Sequence, residues 1–170
     1  MKKIAALLAI AVMTVSLAGC GSRNETENQQ TEEASAKLTG TCAEILTQVY
    51  EQAELSDDFR EAMEYYEMAE IPEDAKEYLL GTADVDYVDS VYSVPMMNAV
   101  AYQCILLRVS ENQDVEEAKQ ILADSADPAK WVCVEAESVV VENIGDVILF
   151  IMADNDVAEA AKEAFLALNK

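Results

Sequence analysis

The spacing of apolar positions changes once along the chain, near Gly81. Before it, Ile45, Leu46, Val49, Tyr50 and Ala53 recur every three or four residues and predict a first helix. Thr41-Cys42-Ala43-Glu44 opens that helix in the form of a capping box. Ser56 is placed to cap a second helix, with Asp57 and Asp58 at its positive end and Phe59, Ala62, Met63 and Tyr66 as its apolar stripe. Pro72 suits the first turn of a short third helix, which Gly81 ends. After Gly81 the residues turn β-branched and aromatic. Tyr87 to Val94 and Ala101 to Val109 read as strands, the second apolar on both faces around Cys104 to Leu107. Val139 to Val141, Asn143-Ile144-Gly145 and Val147 to Met152 read as strand, tight turn and strand.

Each strand pair leads into a helix, Asp114 to Ala123 and Asp156 to Leu168. A shift of 42 positions lays Ile105 to Ala118 on Val147 to Ala160 without a gap, matching Leu107, Asp114, Val115, Glu117 and Ala118 to identical residues. Asp114 and Asp156 are expected to cap the two helices, with Glu117 and Glu159 as the other halves of capping boxes. The fold class expected is α+β. N-terminal helices are followed by two strand-strand-helix repeats, which form a four-stranded antiparallel sheet with helices mainly on one face.

The pattern at the start of the chain is different. Lys2 and Lys3 precede an unbroken apolar or small run from Ile4 to Leu17, the length of a secretory h-region and too short for a bilayer span. Leu17-Ala18-Gly19-Cys20 resembles the lipobox of bacterial lipoproteins. The resemblance implies that residues 1–19 are a signal peptide, and that Cys20 carries a diacylglycerol and becomes the new N-terminus. Two acyl chains anchor stably where one binds marginally. Gly21 to Ala36 holds no aromatic or large aliphatic residue and cannot offset its ordering entropy by burial, so residues 20–36 are read as the lipidated Cys and a disordered acidic tether. Residues 37–170 are read as one globular domain.

Charge narrows the function classes. The formal net charge is −22, and loss of Met1 to Gly19, which removes two lysines and no acid, carries it to −24. Such a field repels phosphate backbones, which excludes nucleic acid as a partner. The chain contains no histidine, so imidazole bases, Ser-His-Asp triads and zincin motifs are excluded, and neither a Walker sequence nor a CxxC pair is present. Cys42, Cys104 and Cys133 are read as small buried core residues, with one disulfide among them as the competing reading. No cofactor is expected beyond the lipid on Cys20.

The remaining candidates are weaker. The glutamates at every third position from Glu61 to Glu73 fan around a helix and read as solvated surface, although acids this plentiful leave a paired-carboxylate site open. Asp84, Asp86 and Asp89, or Asp154 and Asp156, offer oxygen ligands to calcium without the EF-hand spacing. Trp131 reads as a core anchor. Ser93-Val94-Pro95-Met96-Met97-Asn98 stands out, because Pro95 breaks a strand and two adjacent methionines cannot both face one core. Pro95, Met96, Met97 and Asn98 are therefore the candidate partner-contact loop, against the alternative of a bulged connection with Met as filler.

Pro95 to Asn98, Ile105 to Glu117, Asp127-Pro128-Ala129-Lys130-Trp131-Val132-Cys133-Val134-Glu135 and Asn143 to Asp146 together resemble the family known as domain of unknown function 4358, small lipoproteins of clostridia-like Gram-positive bacteria. The resemblance covers most of Leu38 to Leu168 and implies a place on the outer face of the single cytoplasmic membrane; it brings no activity and no catalytic residues. The function expected is a non-enzymatic binding or scaffolding module, lipid-anchored outside the cell, with an unidentified protein or peptide partner. A carboxylate-dependent hydrolase of wall or surface glycans and a divalent-cation-dependent adhesion or sensing module are the alternatives.

Overall fold

Helix α1 (Cys42–Gln52) starts as its sequence dictates: Glu44 N–H donates to Thr41 Oγ1 at 3.2 Å and Thr41 N–H to Glu44 Oε2 at 2.9 Å. The computed structural model describes residues 37–97 and 99–169; the signal segment, Cys20, the tether and Asn98 lie outside the described residues. Helix α2 (Asp57–Ala62) is capped by Ser56, whose Oγ accepts from Phe59 N–H at 3.2 Å. A 3-10 turn (Met63–Tyr65) then leads into strand β1 (Tyr66–Ala69). A second 3-10 turn (Glu73–Ala75) and helix α3 (Lys76–Leu80) follow, stopped by Gly81 at φ 75°. The rest runs β2 (Tyr87–Pro95), β3 (Gln103–Val109), α4 (Val115–Ser125), β4 (Ser138–Ile144), β5 (Val147–Ala153) and α5 (Asn155–Ala167). Among the described residues no helix is long and apolar enough to cross a membrane.

The fold is α+β, with an open antiparallel sheet of order β1-β2-β3-β5-β4. The expected four strands are present, and a fifth, β1, extends the sheet beyond β2. Its first residue, Tyr66, falls on the apolar stripe of Phe59, Ala62 and Met63, whose spacing predicts a continuing helix. Tertiary packing overrides that period: Tyr66 packs on Tyr102 and Phe59, with ring centroids 5.1 and 5.8 Å away, and β2 offers an edge to pair with. Helix α2 accordingly ends at Ala62, one turn short of Tyr66.

Central strands β3 and β5 are buried on both faces, which divides the core in two. Cys104, Leu106, Val147, Leu149 and Ile151 face α1 and α5, whereas Ile105, Leu107, Ile148, Phe150 and Met152 face α3, α4 and Trp131. Helices therefore cover both faces, and the expectation of helices mainly on one face is corrected. The same fact decides the apparent repeat. β2-β3-α4 and β4-β5-α5 share strand order and direction, yet their helices lie on opposite sides, so the two units have opposite hands and no rotation superposes them. The 42-residue likeness is a shared local pattern of strand, cap and helix.

The caps differ as well. Asp114 accepts from Glu117 N–H at 2.9 Å, as expected, without the return bond from Glu117. At α5 the N-cap is Asp154 and not Asp156, its side chain makes no capping bond, and Asn155 N–H instead donates to Glu137 Oε2 at 3.2 Å. Glu159 pairs with Lys162 at 2.6 Å rather than closing a box. The β4–β5 turn is the tight one expected, with Gly145 at φ 58° and Ile144 paired to Val147.

Candidate functional site

Pro95 ends β2 opposite Tyr66, and one residue on, Met96 N–H donates to Tyr65 O at 3.1 Å. Antiparallel ladders alternate hydrogen-bonded and open pairs, so the Tyr66–Pro95 pair falls at an open position where no donor is required of β2. The sequence break is thus built into the ladder's end. Beyond it the chain turns tightly, Ala99 N–H donating to Met97 O at 2.8 Å and Tyr102 N–H to Val100 O at 3.0 Å.

This turn and the end of α2 enclose a hollow of about 300 Å³, lined by Ala62, Tyr65, Tyr66, Pro95, Met97 and Val100, with Met96 and Ala99 completing its wall. No carboxylate is among these lining residues. Tyr65 is 64%, Met96 66% and Met97 74% exposed. The loop singled out from sequence is therefore brought together at one surface through Pro95, Met96 and Met97, while Asn98 lies outside the described residues. A second hollow of about 320 Å³ shares Tyr66 as a wall and reaches Met63, Met68, Arg60 and Tyr50. Beneath both, Phe59, Tyr66 and Tyr102 pack edge-on or tilted, and Tyr50 and Tyr102 hydroxyls hydrogen-bond at 2.7 Å. Burial pushes the pKa of both hydroxyls well above the usual phenol value, so they stay protonated. The floor is rigid and uncharged, and the rim is flexible methionine, a combination suited to adaptable apolar contact.

A second cluster lies around Lys130. Its Nζ donates to Tyr78 O at 3.1 Å and to Gln103 Oε1, and it sits 4.5 Å from the Tyr78 ring centroid and 5.5 Å from that of Trp131. Gln103, fully buried in β3, passes the contact on through Nε2 to Leu79 O at 2.9 Å. Burial lowers the Lys130 pKa to about 8, against the raising influence of Asp127. All partners of the amine are the chain's own groups, and Trp131 is 6% exposed, so the cluster fastens the loop after α4 to the sheet. Trp131 is the core anchor that its sequence context implied. A hollow of about 280 Å³ beside Lys130 has Glu77 and Asp127 in its lining, both exposed, and Asp127 accepts from Ala129 N–H at 3.0 Å. Two acids share this lining, and one of them is engaged in its own turn.

The cation candidates separate. Asp89 Oδ2 accepts from Cys42 N–H at 2.7 Å, serving the positive end of α1, and among the described residues no three Asp, Glu or Cys side chains converge as a metal cage would require. Cys42 and Cys104 are buried and free, and burial pushes each thiol up to about 12. Cys133 is exposed, which corrects its placement in the core: it lies in the loop between Trp131 and β4, outside any helix or strand, beside Val132, which is also exposed.

Sequence reasoning missed Tyr65 and the edge of β1, and it missed Lys130 with Gln103. Gln103 carried a signal: a lone amide at a buried strand position needs a partner. No family model, curated protein or solved structure matches this chain.

Proposed function

We propose that the chain is exported, anchored by diacylglycerol on Cys20 at the outer face of the cytoplasmic membrane, and acts there as a non-enzymatic binding module. Its protein or peptide partner docks on the hollow between Tyr65, Tyr66, Pro95, Met97 and Val100. The likeness to domain of unknown function 4358 rests on its quoted residues alone and adds no activity. The observation that carries the reading is the contiguous exposed apolar surface at that hollow, on a chain whose surface is otherwise strongly acidic. Apolar surface gathered in one concavity marks contact sites, whereas scattered apolar residues do not. The anchor complements it, because tethering holds the domain at the surface where its partner is met.

Site-specific photocrosslinking on intact cells tests this. A photoreactive side chain at Met97 should yield a defined adduct that is lost when Val100→Asp is added, while the same group at Val132, which is 96% exposed, should not. Equal labelling from both positions would refute docking at the hollow. For the anchor, Cys20→Ala should release the protein from the membrane fraction, and a variant still membrane-bound would refute lipidation.

A further inference from the structure

We infer that the partner enters as an extended segment alternating basic and apolar side chains, which adds a strand to the outer edge of β1. This rests on the reading of the hollow as a binding surface and names what binds there.

Among the described residues strand β1 pairs only with β2. Because Tyr65 O accepts from Met96 N–H, residues 65, 67 and 69 turn their peptide groups toward β2, and Met68 turns its N–H and C=O outward. Tyr66 N–H is taken by Met63 O, which leaves its carbonyl on the outer edge with the two Met68 groups. An edge of four residues spans roughly 13 Å, enough for a segment of similar length. Edges are normally blunted by Lys, Pro or a bulge. This one has no Lys, Pro or bulge; it is blunted by its shortness and by Glu67, and it lies beside an apolar hollow.

The two faces of β1 differ. Tyr66 walls both hollows, and Met68, two residues on, shares its face and lines the second hollow together with Arg60 and Glu51, while Glu67 stands on the other face opposite Val94. Glu61, Glu64, Glu67 and Glu70 are all exposed, and none takes part in an ion pair among the described residues. The nearby Arg60 is committed to the carbonyls of Tyr50 and Ala53, at 3.2 and 2.6 Å. An incoming strand therefore meets Tyr66 and Met68 on one face and the unpaired Glu67 on the other, with Glu61, Glu64 and Glu70 flanking β1 in the chain, which favours alternation of apolar and basic residues. A second copy of the chain would set the same glutamates against each other, and Gly21 to Ala36 supplies acids without large apolar groups.

The probe is an end-blocked, dye-labelled hexapeptide, Lys-Val-Lys-Val-Lys-Val, titrated by fluorescence anisotropy into the purified protein. It should bind, bind more weakly as salt rises, and lose about tenfold in affinity when its edge-facing amides are N-methylated. The Glu-Val counterpart should not bind. Met68→Pro, which removes an outward N–H and no β1–β2 bond, should weaken the probe about tenfold with Tm held. Equal binding of the N-methylated or the Glu-Val peptide would overturn the proposal. If the probe fails to bind while Met97 still crosslinks a partner, the added strand is wrong and the binding reading stands. If Met97 crosslinks nothing, the reading itself falls.

Discussion

Cys104 lies fully buried on β3, beside the Tyr50 and Tyr102 hydroxyls that floor the hollow, and its burial makes a quantitative demand. Burial raises its thiol from 9.0 to about 12, so above pH 9 the unfolded chain gives up a proton that the folded chain keeps. The stability this group contributes is complete below pH 9 and is lost as pH rises toward 12. By pH 10 the loss is on the order of 1 kcal/mol for one such group. Cys42 acts in the same direction and Lys130 in the opposite one: its pKa is lowered to about 8, so stability rises above that pH as the folded chain's lysine loses its proton while the unfolded chain's keeps it, and levels off past 10.5. The total curve thus sums opposed contributions, and a difference between two proteins isolates one. Cys104→Ala should cost about 1 kcal/mol at pH 7 from lost packing. Its deficit should then close by about 1 kcal/mol between pH 8 and pH 10, bringing the variant close to the parent's stability. Urea unfolding of both proteins at pH 8, 9 and 10 under reducing conditions measures it. A deficit constant to within about 0.3 kcal/mol across that range would refute the burial argument.

Three further outcomes follow from particular contacts. Asp114→Ala should cost about 1 kcal/mol in urea unfolding and Asp154→Ala well under half of that, because only Asp114 accepts a capping bond; equal costs would contradict the geometry. Gly81→Ala should cost roughly 2–4 kcal/mol, since φ is 75° and a Cβ would stand 2.1 Å from Ser125 O; unchanged stability would show that the α3–α4 approach is looser than described. Under native conditions an aromatic disulfide reagent should titrate Cys133 at once and reach Cys42 and Cys104 only after unfolding, and rapid reaction of either buried thiol would refute their placement.

The sequence was most legible where local chemistry and tertiary packing agree. Thr41 with Glu44, Ser56 and Gly81 mark helix ends by hydrogen bonds and φ values that their own side chains determine, and the structure forms them as read. Val147 to Met152 and Cys104 to Leu107 are apolar without interruption, which already states that both faces of the sheet are covered. That inference argues for helices on each side and against the single-faced arrangement. β1 was illegible because its decisive contacts, Tyr66 with Tyr102 and Tyr66 with Pro95, are distant in sequence, while locally Tyr66 continues the helical stripe of Phe59, Ala62 and Met63. Of the site, Pro95, Met96 and Met97 could be singled out because a strand-breaking proline and paired methionines are locally odd. Tyr65, the hollow and the Lys130–Gln103 contact depend on elements that meet only in the fold.

Hydrogen–deuterium exchange of the protein with and without the partner captured at Met97 tests the central claim most directly. The account predicts slowed exchange confined to residues 62–69 and 95–100, the edge strand and the walls of the hollow. Protection concentrated around Lys130 and the loop after α4, with the hollow unchanged, would contradict it.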